Sequence, residues 1–269
     1  MPATATSVHA LDEALLLRHD DTGVATLTLN RPKQYNALSE ELLGEIQHAL
    51  ESIATDASVR AVVIAGAGSA FCAGHDLKQM RATPKKTYYD RLFAQCSRMM
   101  MTISSLPQPV IARVHGIATA AGCQLVAQCD LAVASDQARF AVSGINVGLF
   151  CSTPSVSLGR NVSRKQAMEM LLTGDFIDAA TAKERGLVNR VVPADKLDAE
   201  VRALADTIIK KSSLAVATGK KMFYKQMEMG VEAAYGYAAE VMACNMMAED
   251  AGEGIDAFMQ KRSPRWKGK

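Results

Sequence analysis

Ser69-Ala-Phe-Cys-Ala-Gly-His-Asp-Leu-Lys78 is the stretch whose reading decides the fold of this chain. It follows the apolar run Ala61 to Ala65, a short predicted strand closed by Gly66-Ala67-Gly68. An aromatic and several small residues then lead to Asp76, where a helix is predicted to begin. A strand-to-helix turn of this make-up exposes backbone N–H groups at a helix start, where they can meet developing negative charge. A second small-residue turn, His115-Gly-Ile-Ala-Thr-Ala-Ala-Gly-Cys-Gln124, again lies between a predicted strand (Pro109 to Val114) and a predicted helix (Ala121 to Gln128). Two helix starts that aim one N–H each at the same carbonyl oxygen would make an oxyanion hole. Losing one such donor typically costs about a hundred- to a thousandfold in rate.

Around these turns, β-rich runs alternate with amphipathic helices. Val24 to Leu29 reads as a strand ending at the breaker Asn30-Arg31-Pro32. Ser39 is the expected N-cap of a helix whose Leu42, Leu43, Ile46, Leu50 and Ile53 share one face. A helix is expected over Tyr88 to Ile103, and strands over Asp130 to Ala134 and Arg139 to Val142. The alternation implies an α/β class. Its spacing hints at structural repetition without a sequence repeat. Beyond Pro193 the strand signal stops, and helices are expected over Leu197 to Lys210, Leu214 to Met229 and Val231 to Met247. The last of these carries Met242, Met246 and Met247, a pattern that fits either adaptable core or a subunit interface.

Composition narrows the function classes. A formal net charge of +2 gives no footprint for nucleic acid or an anionic membrane as a partner. The basic run from Lys261 to Lys269 reads as a solvated tail. Six cysteines without a C-x-x-C pair, and five histidines without an H-x-x-x-H pair, argue against a disulfide framework or a metal site and fit a reducing compartment. No apolar run is long enough to span a bilayer. The opening MPATATSVHALDEA has neither a basic n-region nor an arginine-rich presequence, so cytoplasmic residence is expected.

The turn F-C-A-G-H-D-L resembles the F-x-A-G-x-D-[IL] element of the enoyl-CoA hydratase/isomerase (crotonase) superfamily, and Val114 to Asp130 resembles its second glycine-rich element. Asn30-Arg31-Pro32, Asn36-Ala37-Leu38, Leu172-Thr-Gly-Asp175, Ala182 to Val188 and Glu253 to Arg262 follow in family order. The resemblance implies a spiral of β-β-α units over residues 1–195, then a helical trimerisation region over 196–269. It implies a homotrimer or a dimer of trimers acting as a lyase or isomerase on an acyl-CoA thioester, with no tightly bound cofactor and coenzyme A present only as part of the substrate. In that frame His75 and Ala121 supply the oxyanion N–H groups. Alanine at 121 is acceptable with helical φ/ψ and strained with positive φ. Coenzyme A would lie along Arg31, Lys33 and Ala37 and the turn Ala73, Gly74, Asp76 and Leu77, with Arg31 and Lys33 as phosphate partners. Phe258 and Lys261 match positions that reach the coenzyme A of a neighbouring subunit.

The same frame locates two departures. The family's two hydratase glutamates fall at Gln124 and Gly144. An amide can orient water but cannot take its proton, and glycine has no side chain. Ordinary hydratase activity is therefore in doubt. A silent acyl-CoA-binding protein and a short-chain acyl-CoA decarboxylase, which the A-G-H-D turn also resembles, stand as alternatives. His75 either matters through its backbone alone or adds an imidazole with a useful pKa. Asn146, Cys151 and Ser152 lie in a loop where other superfamily members place catalytic groups, and Cys151 reads as buried and structural rather than nucleophilic, lacking a partner base.

Overall fold

A computed structural model describes residues 14–269. The opening residues on which the targeting expectation rests lie almost wholly outside that range. The chain begins with β1 (Leu16–Asp21) and β2 (Val24–Leu29), paired antiparallel from Leu16↔Leu29 to Asp21↔Val24. Thr22 (φ 46°) and Gly23 (φ 81°) close this hairpin with the left-handed pair that matches strand twist. Helix α1 (Glu40–Ala54) starts at Ser39, whose Oγ accepts from Leu42 N–H at 3.3 Å, and it buries the five apolar residues of its predicted face.

Three similar units follow. The first is β3 (Ala61–Gly66), β4 (Ala70–Cys72), α2 (Leu77–Ala82) and α3 (Lys86–Ser105); the second is β5 (Val110–Val114), β6 (Ile117–Thr119) and α4 (Ala121–Gln128). The third is β7 (Leu131–Ser135), β8 (Arg139–Ala141), α5 (Ser152–Leu158) and α6 (Arg164–Thr173). In each, the first strand enters a six-stranded sheet ordered β1-β2-β3-β5-β7 and completed by the later strand Arg190–Val192, and the second enters a four-stranded sheet ordered β4-β6-β8 and completed by Ile177–Asp178. From β2 onward the large sheet is parallel. This is the β-β-α spiral of the crotonase fold. The unit repeats in topology and not in sequence, because each copy only has to send one apolar strand to each sheet.

The chain then passes through β9 (Ile177–Asp178), α7 (Ala179–Glu184) and β10 (Arg190–Val192) to four helices: α8 (Leu197–Ile209), α9 (Ser213–Gln226), α10 (Val231–Met246) and α11 (Glu249–Met259). Helix α8 packs on the large sheet, where Leu197, Val201, Leu204 and Ala205 bury Val63, Ile111 and Val133. Helix α10 has no buried residue, and Tyr235 on it is 76% exposed. Of the two readings of the methionine-rich helix, core of its own chain is therefore excluded. No described helix is long and apolar enough to cross a membrane.

The basic C-terminal stretch is not a loose solvated tail. Asp250, which is buried, accepts from the N–H groups of Lys267 (2.6 Å) and Gly268 (3.0 Å), and Glu253 pairs with Arg262 and accepts from Arg265 N–H. Trp266 donates to the Lys210 carbonyl at 2.8 Å. Two of its charges, Arg262 and Lys267, pair with Glu253 and Glu249 on α11, which spacing along the chain could not reveal, while the stretch stays almost wholly exposed. The short strands β4, β6 and β9 and the polar edge strand β1 also escape sequence reading, since two or three residues carry no periodicity and β1 buries no face.

Candidate active site

The two small-residue turns meet in space. Gly74 (φ 92°) fits against the second turn so closely that a Cβ there would stand 2.9 Å from Ala120 Cβ and 3.1 Å from the Ala121 nitrogen. Gly122 is tighter still, its absent Cβ falling 2.1 Å from the Cys72 carbonyl oxygen. Glycine at both positions is what lets the turns touch.

Each turn presents a free N–H. Leu38 forms a parallel bridge with His75, in which Leu38 N–H donates to Gly74 (2.7 Å) and Asp76 N–H donates to Leu38 (3.1 Å). In a parallel ladder this leaves the N–H of His75 itself facing away from Leu38. Ala121 is the first residue of α4, so its N–H has no partner within the helix. No backbone carbonyl among the described residues accepts from either group. Positive φ falls on Ala120 (φ 51°, ψ −121°) and not on the helical Ala121, so any strain in this turn belongs one residue earlier than the sequence suggested.

The turns open into a cavity of about 410 Å³, lined by Ala37, Ala73, His75, Asp76, Leu77, Ala121 and Gly144 from the expected site and by Ala120, which was not part of it. Met80 and Phe93 from the α2–α3 region and Val147, Leu149, Phe150 and Pro154 from the loop after β8 make the rest of its wall largely apolar. These wall residues were not singled out from the sequence, because nothing in their type or spacing distinguishes them from core. Lys33 is exposed on the short turn Pro32–Gln34, and the adjoining Gln34 reaches the cavity rim. Phe258 (85% exposed) and Lys261 do not line the cavity of their own chain.

Arg31 has local partners. Its guanidinium donates to the Ala37 carbonyl and to Asp76 Oδ2 at 2.9 Å. Asp76 Oδ1 caps α2 through the N–H groups of Lys78 and Gln79. Burial opposes ionisation of Asp76, but Arg31 and these donors outweigh it and hold the carboxyl below its ordinary range. It is the sole carboxylate lining the cavity among the described residues, and both its oxygens are engaged. It is in no position to serve as a base.

His75 is different. Its ring packs edge-on against Phe93 at 5.5 Å, and neither ring nitrogen makes a hydrogen bond of normal geometry. Burial pushes its pKa down to about 4, against a small upward pull from the Leu38 carbonyl. The unfolded chain therefore binds the extra proton between pH 6.5 and 4 while the folded chain does not, so stability falls as pH drops through that window. The span corresponds to about 3 kcal/mol at full protonation of the unfolded state. His75→Phe is expected to flatten this slope in urea titrations at pH 4 to 7; an unchanged slope would place the proton elsewhere, with the partly buried His115 the other candidate.

Gln124 is buried on α4, its Oε1 without a donor, and does not line the cavity. At Gly144 any side chain is blocked, since a Cβ would stand 2.5 Å from the Leu149 carbonyl oxygen and 2.7 Å from Cys151 Sγ. The Gly144 N–H donates to that sulfur at 3.3 Å. Burial raises the Cys151 pKa and keeps it a thiol, the unreactive form. Asn146 donates to the Gly174 carbonyl (3.3 Å), Ser152 stays near the Phe150 carbonyl, and Thr119 and Ser143 share a 2.7 Å hydroxyl pair.

The sequence model for enoyl-CoA hydratase/isomerase matches residues 19–269. The chain belongs to this family. Within the family it falls in the branch of enoyl-CoA hydratase domain-containing protein 3. The Xenopus laevis protein of that name is 45% identical over 260 residues, covering 97% of this chain and 88% of its own, and the Homo sapiens protein is 44% identical over 244 residues, covering 91% and 80%. The crystal structure of the human protein superimposes with a TM-score of 0.92 at 43% identity, over 94% of this chain and all of the other. That of an enoyl-CoA hydratase from Mycobacterium smegmatis superimposes with a TM-score of 0.93 at 60% identity, over 94% and 99%. The cytoplasmic expectation is corrected here, because the Xenopus and human relatives are named mitochondrial. That expectation rested on the make-up of the opening residues, nearly all of which lie outside the described range.

Proposed function

We propose that the chain binds an acyl-CoA thioester in this cavity and stabilises its enolate through the backbone N–H groups of His75 and Ala121. The observation that carries this reading is the pair of unpartnered N–H groups on two turns that touch at the cavity wall. A carbonyl oxygen accepting from both gains most when it becomes an oxyanion, because the donors are already oriented and the wall excludes water. The coenzyme A portion would follow Lys33, Ala37, Ala73, Gly74 and Leu77. Arg31, with two of its N–H groups already engaged, would hold the loop and offer its remaining donors to phosphate. Phe258 and Lys261 would serve a neighbouring subunit. The exposed apolar residues of α10 and of the adjoining Phe223 and Met227 suit a homotrimer or a pair of trimers.

Classical hydration is not the chemistry these residues favour. With an amide at 124 and no room at 144, water has no base, and proton transfer by such a group is worth about 10²- to 10⁴-fold. Lyase or isomerase chemistry that needs mainly enolate stabilisation, including decarboxylation, fits better, and the neutral imidazole of His75, whose ring nitrogens have no hydrogen-bond partner, is at hand in the lining. A second reading, acyl-CoA binding without turnover, is favoured by the lack of any free carboxylate in the lining. Titration calorimetry with butyryl-CoA and mass spectrometry of an acyl-CoA panel separate the two. Heat with product supports the enzyme, heat without product supports the silent binder, and no heat sinks both. Crotonyl-CoA hydration is expected at least about 100-fold below that of a relative keeping both glutamates. Gln124→Glu alone is expected not to restore it.

A further inference from the structure

Ala120 holds a conformation that L side chains rarely adopt. Its φ 51° and ψ −121° are those of the first central position of a type II′ turn, where glycine, asparagine or aspartate is usual. Both its peptide groups are clamped: its N–H donates to the Ala141 carbonyl at 3.0 Å, and its carbonyl accepts from Gln124 N–H at 3.0 Å. The chain cannot relax around it without breaking the entry to α4. Its methyl lies over Gly74 and lines the cavity beside the N–H of Ala121.

Because Ala120 adjoins Ala121 and lines the same cavity, a thioester carbonyl held by the Ala121 N–H would bring its adjoining carbon towards this methyl. We propose that Ala120 is a specificity-determining residue of the acyl site, whose methyl restricts binding to thioesters unbranched at the carbon adjoining the carbonyl. The inference rests on the thioester reading above. Glycine here would remove both the strained conformation and the obstruction, so one substitution should move two independent quantities in the same direction. A side chain kept at a position better suited to glycine is one whose presence has a use in the cavity.

The experiment uses the full chain and its Ala120→Gly variant, with butyryl-CoA and isobutyryl-CoA as probes in titration calorimetry and thermal unfolding run alongside. The variant is expected to melt about 3 °C higher. Its affinity ratio for isobutyryl-CoA over butyryl-CoA is expected to rise about tenfold, the usual scale for one methyl in a closed apolar site. A ratio within twofold of the parent's, with butyryl-CoA still bound, overturns the assignment whatever the melting temperature does. Failure of the parent to bind either ester overturns the thioester reading, and the specificity with it.

Discussion

Gly122→Ala should destabilise the protein by about 3 kcal/mol or more and abolish thioester binding at concentrations where the parent saturates. The added methyl carbon would stand 2.1 Å from the Cys72 carbonyl oxygen, 2.7 Å from its carbon and 2.8 Å from its Cβ. Two of these three are backbone atoms of β4, which pairs with β6, so no rotamer change relieves the contact. Either α4 moves off the strand or the strand leaves the small sheet. Both movements separate the turn carrying Ala121 from the turn carrying His75, and a displacement of about 1 Å between oriented groups costs about a hundredfold. Urea denaturation gives the first quantity and calorimetry with butyryl-CoA the second. Unfolding free energy within about 1 kcal/mol of the parent would mean that the two turns are not packed as described.

Lys220→Ala should cost about 3–5 kcal/mol, the range for removing one partner of a buried ion pair. The Lys220 side chain is only 6% exposed, and its ammonium donates to Asp130 Oδ2 (2.6 Å) and to the carbonyls of Ile103 (2.8 Å) and Gln108 (3.0 Å). Tyr224 donates to the other carboxylate oxygen at 2.8 Å, and Val110 N–H to the first at 2.7 Å. The cluster joins α9 to the end of α3 and the start of β5, linking the helical end of the chain to the sheet core. Burial draws the Lys220 pKa down against the pull of Asp130. Alanine would leave a carboxylate and two carbonyls without their donor in a place water hardly reaches. Pairing Lys220→Met with Asp130→Asn should recover part of the loss, since a neutral amide tolerates burial better than a lone carboxylate. Equal unfolding midpoints for the parent and Lys220→Ala in urea would show the pair to be energetically idle.

Much of the site was legible because it is backbone chemistry. Donors at helix starts need small residues in the turns before them, and Ala73-Gly74 and Ala120-Ala121-Gly122 announce that in plain sequence. That Gln124 and Gly144 offer neither acid nor base was legible for the same reason, since residue type alone decides whether a proton can be taken. What stayed hidden depends on contacts between distant segments. Arg31 meets Asp76 across 45 residues, and the Gly144 amide meets the Cys151 sulfur through the folding of a loop. The strain at Ala120 was a matter of one dihedral, and attention to glycine replacement was correct in kind but fell on the wrong neighbour. The methionines of α10 showed an apolar helix without showing whether its own chain would cover it.

The sulfur of Cys151 fills the space beside Gly144 and so couples these two positions physically. A carboxylate cannot be placed at 144 while the sulfur and the Leu149 carbonyl stand where its first carbon would go. Opening that space alone leaves a void in the cavity wall with no catalytic gain. Substitutions at 144 and 151 share this space, so their effects are not expected to add. Such coupling means that an acid introduced at 144 would need the loop carrying Leu149 and Cys151 rebuilt around it.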